Sequence, residues 1–328
     1  MARPIAHGGG LIAARALYPG APEPWIDLST GINPVAYPVP PLPAEVFARL
    51  PEPEAVAALE AVAATAYGAA DPATVAAAPG TQSLIHLLPR ILSARRVAVL
   101  SPTYGEHEAA WRLAGSAVFP MASLEGCGIA DAVVLCNPNN PDGRHHDPDT
   151  LLAMARRLAT VGSLLVVDEA FADLDGPTLV PALPSGGLLV LRSFGKTYGL
   201  AGVRLGFAIG PAWLAARLRE ALGPWAVSGP AIHAGMAALA DVAWRQATAR
   251  RLAEDARRLD ATLTAAGARL VGGTRLFRLV EHPQAQAMAD RLARAGILVR
   301  RFPDHPHWLR FGIPGTDDAW RRLMAALV

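Results

Sequence analysis

Four short apolar runs, each closed by a polar or Gly/Pro-rich cluster, recur through the middle of this 328-residue chain. Residues 97–100 lead into Ser101-Pro102-Thr103-Tyr104, and 132–136 into Asn137-Pro138-Asn139-Asn140-Pro141. Residues 164–167 lead into Asp168-Glu169, and 188–191 into Arg192-Ser193-Phe194-Gly195-Lys196. Runs that are apolar throughout mark strands buried on both faces. With helical stretches such as 151–158 between them, they predict a mostly parallel sheet covered by helices. Ligands of such open sheets bind beyond the C-terminal ends of the strands. Each polar cluster follows such an end, so Tyr104, Asn140, Asp168 and Lys196 can converge on one crevice although they are far apart in sequence.

The chain is long enough for a large and a small lobe. Residues 1–43 are rich in Gly and Pro and read as an arm together with a segment of the small lobe; 44–224 form the large domain, opening on an Ala-rich helix over 44–67. From 225 to 328 the texture changes to a smaller α+β domain. It has helices expected at 231–239, 244–266, 284–294 and 318–327, and strands at 276–280, 297–300 and 309–313. The fold class is α/β.

Composition excludes several classes. Hydrophobic residues make up 52% and charged residues 18%, with a net charge of +2 and no basic block, so neither a disordered chain nor a nucleic-acid binder is expected. Cys127 and Cys136 have no Cys/His ladder around them, which argues against a zinc site or a disulfide scaffold. The first ten residues lack the apolar core of a secretory signal, and no run of 18 apolar residues offers a membrane span. A cytoplasmic setting is the expectation.

One count carries chemistry. Of the 30 basic residues, Lys196 is the single lysine and the other 29 are arginines. A surface charge survives exchange of lysine for arginine, but covalent amine chemistry does not, because a guanidinium stays protonated and is a poor nucleophile. The lysine that survives such drift is the candidate for a Schiff base.

Other motifs fail on inspection. His7-Gly8-Gly9-Gly10 resembles a hydrolase oxyanion loop, but no Gly-x-Ser-x-Gly elbow exists. Gly195-Lys196-Thr197 resembles the end of a P-loop, but Val190 stands where its first glycine is required. Gly126-Cys127-Gly128 lacks the third glycine of a dinucleotide fingerprint, and His145-His146 reads as a solvated turn. No metal is expected.

The segment from Ser193 to Gly206, Ser-Phe-Gly-Lys-Thr-Tyr-Gly-Leu-Ala-Gly-Val-Arg-Leu-Gly, closely resembles the cofactor-lysine segment of class I/II pyridoxal-phosphate aminotransferases. Asn137-Pro138-Asn139-Asn140-Pro141-Asp142-Gly143, Val167-Asp168-Glu169-Ala170-Phe171, Gly80-Thr81-Gln82 and Arg310 fit the same family in the same order. The resemblance implies a fold type I transferase, with a large domain around a mostly parallel sheet and a smaller α+β domain. It also implies a homodimer with pyridoxal 5'-phosphate on Lys196.

In that reading Ser193, Arg204, Gly80 and the N–H groups of Thr81 and Gln82 at a helix start hold the cofactor phosphate. Asp168 keeps the pyridine nitrogen protonated, Asn140 donates to the phenolic oxygen and Tyr104 stacks on the ring. Lys196, Asp168 and Tyr104 are the catalytic candidates. Two positions depart from the family: Phe171 stands where a tyrosine is common, and Leu50-Pro51 where relatives have Tyr-Pro.

Within the family, His7-Gly8-Gly9, Asp27-Leu28-Ser29-Thr30-Gly31-Ile32-Asn33-Pro34, Pro224-Trp225-Ala226-Val227-Ser228 and Ile297-Leu298-Val299-Arg300 resemble the threonine-phosphate decarboxylases of cobalamin biosynthesis. These convert O-phospho-threonine to aminopropanol phosphate. The alternative branch is histidinol-phosphate aminotransferase, which shares the core motifs and typically lacks the His-Gly-Gly opening. A phosphorylated amino acid as substrate would draw on His7, Gly8, Asn33, Asn140, Arg300 and Arg310.

Overall fold

The computed structural model describes residues 7–183 and 186–328. Part of the signal-peptide expectation falls on residues 1–6, outside the described residues. The described chain forms two compact units, one of 37–140 with 145–244, the other of 7–36, 141–144 and 245–328.

Twelve strands lie among the described residues. They are β1 (Ile26–Leu28), β2 (Val75–Ala78), β3 (Arg96–Leu100), β4 (Ala117–Met121), β5 (Ala132–Cys136) and β6 (Leu164–Asp168). They continue with β7 (Leu188–Ser193), β8 (Gly206–Ile209), β9 (Arg269–Thr274), β10 (Phe277–Glu281), β11 (Ile297–Arg301) and β12 (Trp308–Gly312). The first unit holds a seven-stranded sheet in the order β2-β8-β7-β6-β5-β3-β4. Strands β3 to β7 pair in parallel, and β8 runs antiparallel to both β7 and β2.

Side chains alternate across this sheet, and both faces are covered. On one face Val133, Leu135, Leu165, Val167, Leu188 and Val190 pack with Tyr67, Leu151 and Phe194. On the other, Ala132, Val134, Leu164, Val166, Leu189 and Leu191 pack with Leu84, Leu88 and Trp111, which come from the helices Thr81–Leu92 and Gly105–Leu113. The runs are apolar throughout because both of their faces are core.

The second unit has a five-stranded sheet, β1-β11-β12-β10-β9, in which β1 lies parallel to β11. The helix Ala285–Arg294 buries Met288, Ala289 and Leu292. The helix Asp317–Leu327 starts at Thr316, whose side chain accepts from the Ala319 N–H.

Several elements differ from the sequence reading. The helix expected over 44–67 is two helices, Glu45–Ala48 and Pro53–Tyr67, because Pro51 and Pro53 break the first and set the N-terminus of the second. The Gly/Pro-rich arm contains the helix Leu11–Leu17 and strand β1. Strands β2, β4 and β8 are unannounced in the sequence. Strand β2 is mostly alanine, β8 opens on glycine, and β4 carries Pro120, which an edge position tolerates.

Candidate active site

Asp168 ends β6 on the face shared by Leu164 and Val166, Ser193 ends β7 on that of Leu189 and Leu191, and Cys136 ends β5 on that of Ala132 and Val134. Alternation therefore delivers all three to one side of the sheet, at the C-terminal edge of its parallel part. A cavity of about 150 Å³ opens there, and Gly80, Thr81, Gln82, Tyr104, Asn140, Asp168, Ser193, Lys196 and Arg204 all line it. These are the nine cofactor residues read from the sequence. A larger, mostly apolar hollow of about 480 Å³, lined by Pro53, Ala77 and Trp225 among others, holds none of them.

Part of the cavity lining suits an anion. Gly80 precedes the helix Thr81–Leu92 with φ 82°, a conformation glycine adopts without strain. The first N–H groups of a helix have no acceptor within it, so those of Thr81 and Gln82 face outward at the positive end of the dipole. A Cβ on Gly80 would lie 2.7 Å from Arg204 Nη2, and one on Gly206 would lie 2.6 Å from the Thr81 nitrogen. Side chains at either glycine would fill the cradle. Arg204 is left-handed, with φ 57° and ψ 63°, and its Nη1 donates to the Ala201 carbonyl at 3.1 Å. A non-glycine residue in that region costs about 1–2 kcal/mol, which the surrounding fold must offset.

Asp168 is buried, and each of its oxygens has one partner. Its Oδ1 accepts the Ala170 N–H at 3.0 Å, and its Oδ2 lies 2.8 Å from His107 Nε2. His107, Cys136 and Asp168 place one heteroatom each within 4.8 Å of one another. Burial pushes the His107 pKa down, but Cys136 and Asp168 outweigh it and raise the group to about 10. The imidazole is thus held as a cation at neutral pH, donating to the Asp168 carboxylate.

Lys196, Phe171 and Tyr104 also line the cavity. Lys196 lies in the four-residue helix Phe194–Thr197 that follows β7, and its Nζ is 5.7 Å from the centre of the Phe171 ring. The Tyr104 hydroxyl donates to Gln82 Oε1 at 3.0 Å, and Gln82 Nε2 in turn donates to Glu106 Oε2 at 2.8 Å. Burial first, then the nearby carboxylates, pushes the Tyr104 phenol up to about 12.

Of the substrate candidates, Asn140 lines the cavity, while His7, Gly8, Asn33, Arg300 and Arg310 belong to the other unit. Arg300 and Arg310 are register partners across β11 and β12. Arg310 is buried and donates through Nη2 to the Ser29 carbonyl at 3.0 Å. Burial first, then Arg300, pulls its guanidinium down to about 9, with Asp27 partly offsetting them. It is still charged at neutral pH, so two adjacent cations there favour an anion. A Cβ on Gly8 would lie 2.4 Å from the Ser29 oxygen, which fixes glycine at that position. Gly9 donates to Ser29 Oγ at 2.7 Å. The Asn33 oxygen accepts from the Val35 N–H and from Arg251.

Sequence reasoning passed over His107, Cys136, Glu169 and Arg192. His107 carried a signal: it shares the buried stripe of its helix with Ala110 and Trp111, at the i+3 and i+4 spacing, where an ionisable group is out of place.

Comparison with known proteins places this geometry. The family described as aminotransferase class I and II matches residues 42–327. A threonine-phosphate decarboxylase of Sinorhizobium sp is 44% identical, covering 100% of this chain and 98% of its own. A second, from Pseudomonas aeruginosa, is 42% identical over 99% and 97% of the two chains. Among solved structures, histidinol-phosphate aminotransferase from Sinorhizobium meliloti in complex with pyridoxal-5'-phosphate superposes with a TM-score of 0.83. It covers 99% of this chain and 94% of its own at 22% identity, a likeness of fold.

Proposed function

The chain belongs to the class I and II aminotransferase family, and from that premise we propose that it decarboxylates L-threonine O-3-phosphate to (R)-1-amino-2-propanol O-2-phosphate in cobalamin biosynthesis, with pyridoxal 5'-phosphate as cofactor. The observation that carries this reading is the full-length likeness to two threonine-phosphate decarboxylases.

The cavity fits the cofactor: its lining has a glycine cradle that a Cβ would fill, the chain's single lysine, and a buried carboxylate. When bound, pyridoxal phosphate supplies a ring that draws off the electrons of a bond broken at Cα. The N–H groups of Thr81 and Gln82, the Ser193 hydroxyl and the Arg204 guanidinium hold a phosphate. Asp168, backed by His107, holds the proton of a pyridine nitrogen, since an adjacent carboxylate favours the charged form. Asn140 would donate to the phenolic oxygen, and Tyr104 would stack on the ring. Lys196 is the tethering amine, and Phe171 gives it an apolar, electron-rich neighbour. Lys196 or a water would supply the proton that Cα needs once carbon dioxide has left.

Arg300 and Arg310, with His7, Gly8 and the amides of Asn33 and Asn140, are assigned to the anionic groups of the substrate. A decarboxylase gains by gripping the phosphate hardest, because tight pairing to the carboxylate would stabilise the ground state more than the transition state. Free threonine is then a very poor substrate. The family likeness also supports a homodimer, which sedimentation at twice the 34.3 kDa chain mass would bear out. Among the described residues no helix is long and apolar enough to cross a membrane.

The deciding experiment is incubation with phospho-threonine, with and without a 2-oxo acid. Carbon dioxide should be released without the 2-oxo acid. Stoichiometric consumption of glutamate or 2-oxoglutarate with histidinol phosphate or its ketone, and no carbon dioxide from phospho-threonine, would make the chain an aminotransferase instead.

A further inference from the structure

We propose that Glu169 and Arg192 form a clamp on the far face of the sheet that positions Asp168 and Ser193 in the cavity; this rests on the cofactor reading above. Asp168 and Ser193 follow the parity of Leu164, Val166, Leu189 and Leu191, which face the cavity side. Glu169 and Arg192 are one residue out of step and follow Leu165, Val167, Leu188 and Val190 to the opposite side. Each clamp residue is therefore joined by a single peptide bond to a cavity residue, and β6 and β7 are direct neighbours, with Asp168 opposite Leu191.

The clamp itself is buried, the Arg192 and Glu169 side chains being 4% and 0% exposed. Arg192 Nη1 donates to Glu169 Oε2 at 2.6 Å, and Nη2 donates to Asp173. The Leu179 N–H donates to Glu169 Oε1 at 2.8 Å, and the Thr178 hydroxyl donates to the same carboxylate. The guanidinium sits 4.5 Å from the centre of the Tyr67 ring. Two carboxylate oxygens and two guanidinium nitrogens thus tie the end of β6, the end of β7 and the 173–179 turn to one another. A buried ion pair adds little net stability over an apolar pair of the same volume. It does add direction: a forked guanidinium bonds its carboxylates in a fixed geometry. Turning either strand end far enough to move Asp168 or Ser193 would break the Nη1–Oε2 bond. Ser193 also directly precedes the short helix that carries Lys196, so the clamp sets the separation between the ring-nitrogen carboxylate and the tethering amine. Glu169 and Arg192 are positioning residues, touching neither cofactor nor substrate.

The test uses Arg192→Lys, which keeps the charge and loses the fork, and Glu169→Gln, which keeps the shape and loses the charge. Both are measured as full chains loaded with pyridoxal phosphate. We expect wild-type far-ultraviolet circular dichroism, a cofactor Kd raised about 10-fold, and a shifted pH midpoint of the visible absorbance band. Arg192→Lys should lower kcat about 10-fold while KM for phospho-threonine stays within about twofold. Folded variants with wild-type cofactor affinity, band midpoint and kcat overturn the clamp. If either variant does not fold, Asp173→Asn, which removes only the second carboxylate of Arg192, carries the same readouts with the same two outcomes. Wild-type protein that takes up no pyridoxal phosphate overturns the cofactor reading and the clamp with it.

Discussion

His107 Nε2 lies 2.8 Å from Asp168 Oδ2, and both side chains are almost wholly shut off from solvent. A carboxylate in such a place needs a cation or it takes up a proton. The imidazolium provides one. The folded pKa of His107, about 10, lies above its unfolded value of about 6.5. Its contribution to stability is therefore complete below about pH 6.5 and is lost as pH rises through about 10. Urea titrations at pH 7 and pH 10 should show a larger loss for the wild-type protein than for His107→Gln. Equal losses would mean that the pair does not titrate as described. The same variant should reduce turnover about 10-fold, as removal of a group that orients a ligand-contacting residue does.

Lys196→Arg should abolish turnover although charge is kept. Borohydride reduction of loaded wild-type protein should fix the cofactor to one peptide, the one containing Lys196. A label on any other residue defeats the assignment.

Asp168→Asn should fold, since the amide oxygen can still accept the Ala170 N–H and its NH2 can donate to a neutral His107, and should bind cofactor. Its kcat should fall by roughly two orders of magnitude or more, because a fixed charge facing the reacting system has been removed. Near-wild-type kcat in this variant would leave Asp168 a purely structural role.

Gly80→Ala sets a methyl group 2.7 Å from Arg204 Nη2 at a φ of 82°. The strain is of order 1–3 kcal/mol, and the cradle loses its arginine position. Cofactor Kd should rise at least about 10-fold by fluorescence titration, with a thermal midpoint lowered by a few degrees. Unchanged affinity would show that this part of the cavity does not take the phosphate.

Arg300→Ala and His7→Ala should weaken phospho-threonine turnover, by about 10-fold or more for the arginine, while the visible absorbance of the loaded protein stays unchanged. A bleached spectrum would move these residues from the substrate to the cofactor.

The sequence made the cavity side of the sheet legible because its residues carry their chemistry in local order. Asp168 stands directly after an apolar run, Ser193 and Lys196 fall in the short cluster that closes the next one, and the glycine at 80 precedes a helix. The supporting residues were not legible in that way. His107 stands out only as an ionisable residue on a buried helix stripe, and its role appears when Asp168 is brought across from 61 residues away. Glu169 and Arg192 are ordinary polar residues at strand ends until β6 and β7 lie side by side. Strand β2, a run of alanines, has no propensity of its own and is a strand because β8 pairs with it.

The two-sided burial of β6 and β7 also bears on how the chain finds one native alignment. In a strand with one wet face, a slip of one residue drives apolar groups into water and is rejected at once. Leu-Leu-Val-Val in β6 and Leu-Leu-Val-Leu in β7 offer no such check, since every position is apolar and either face accepts it. The information that fixes the alignment is concentrated in the few polar residues at the strand ends. A slipped β6 would turn Asp168 towards Arg192 and Glu169 towards the cavity, keeping a carboxylate on each side but changing each reach by a methylene. Mispaired molecules of this protein would therefore be compact, well buried and inactive, separable from native ones by cofactor uptake rather than by size.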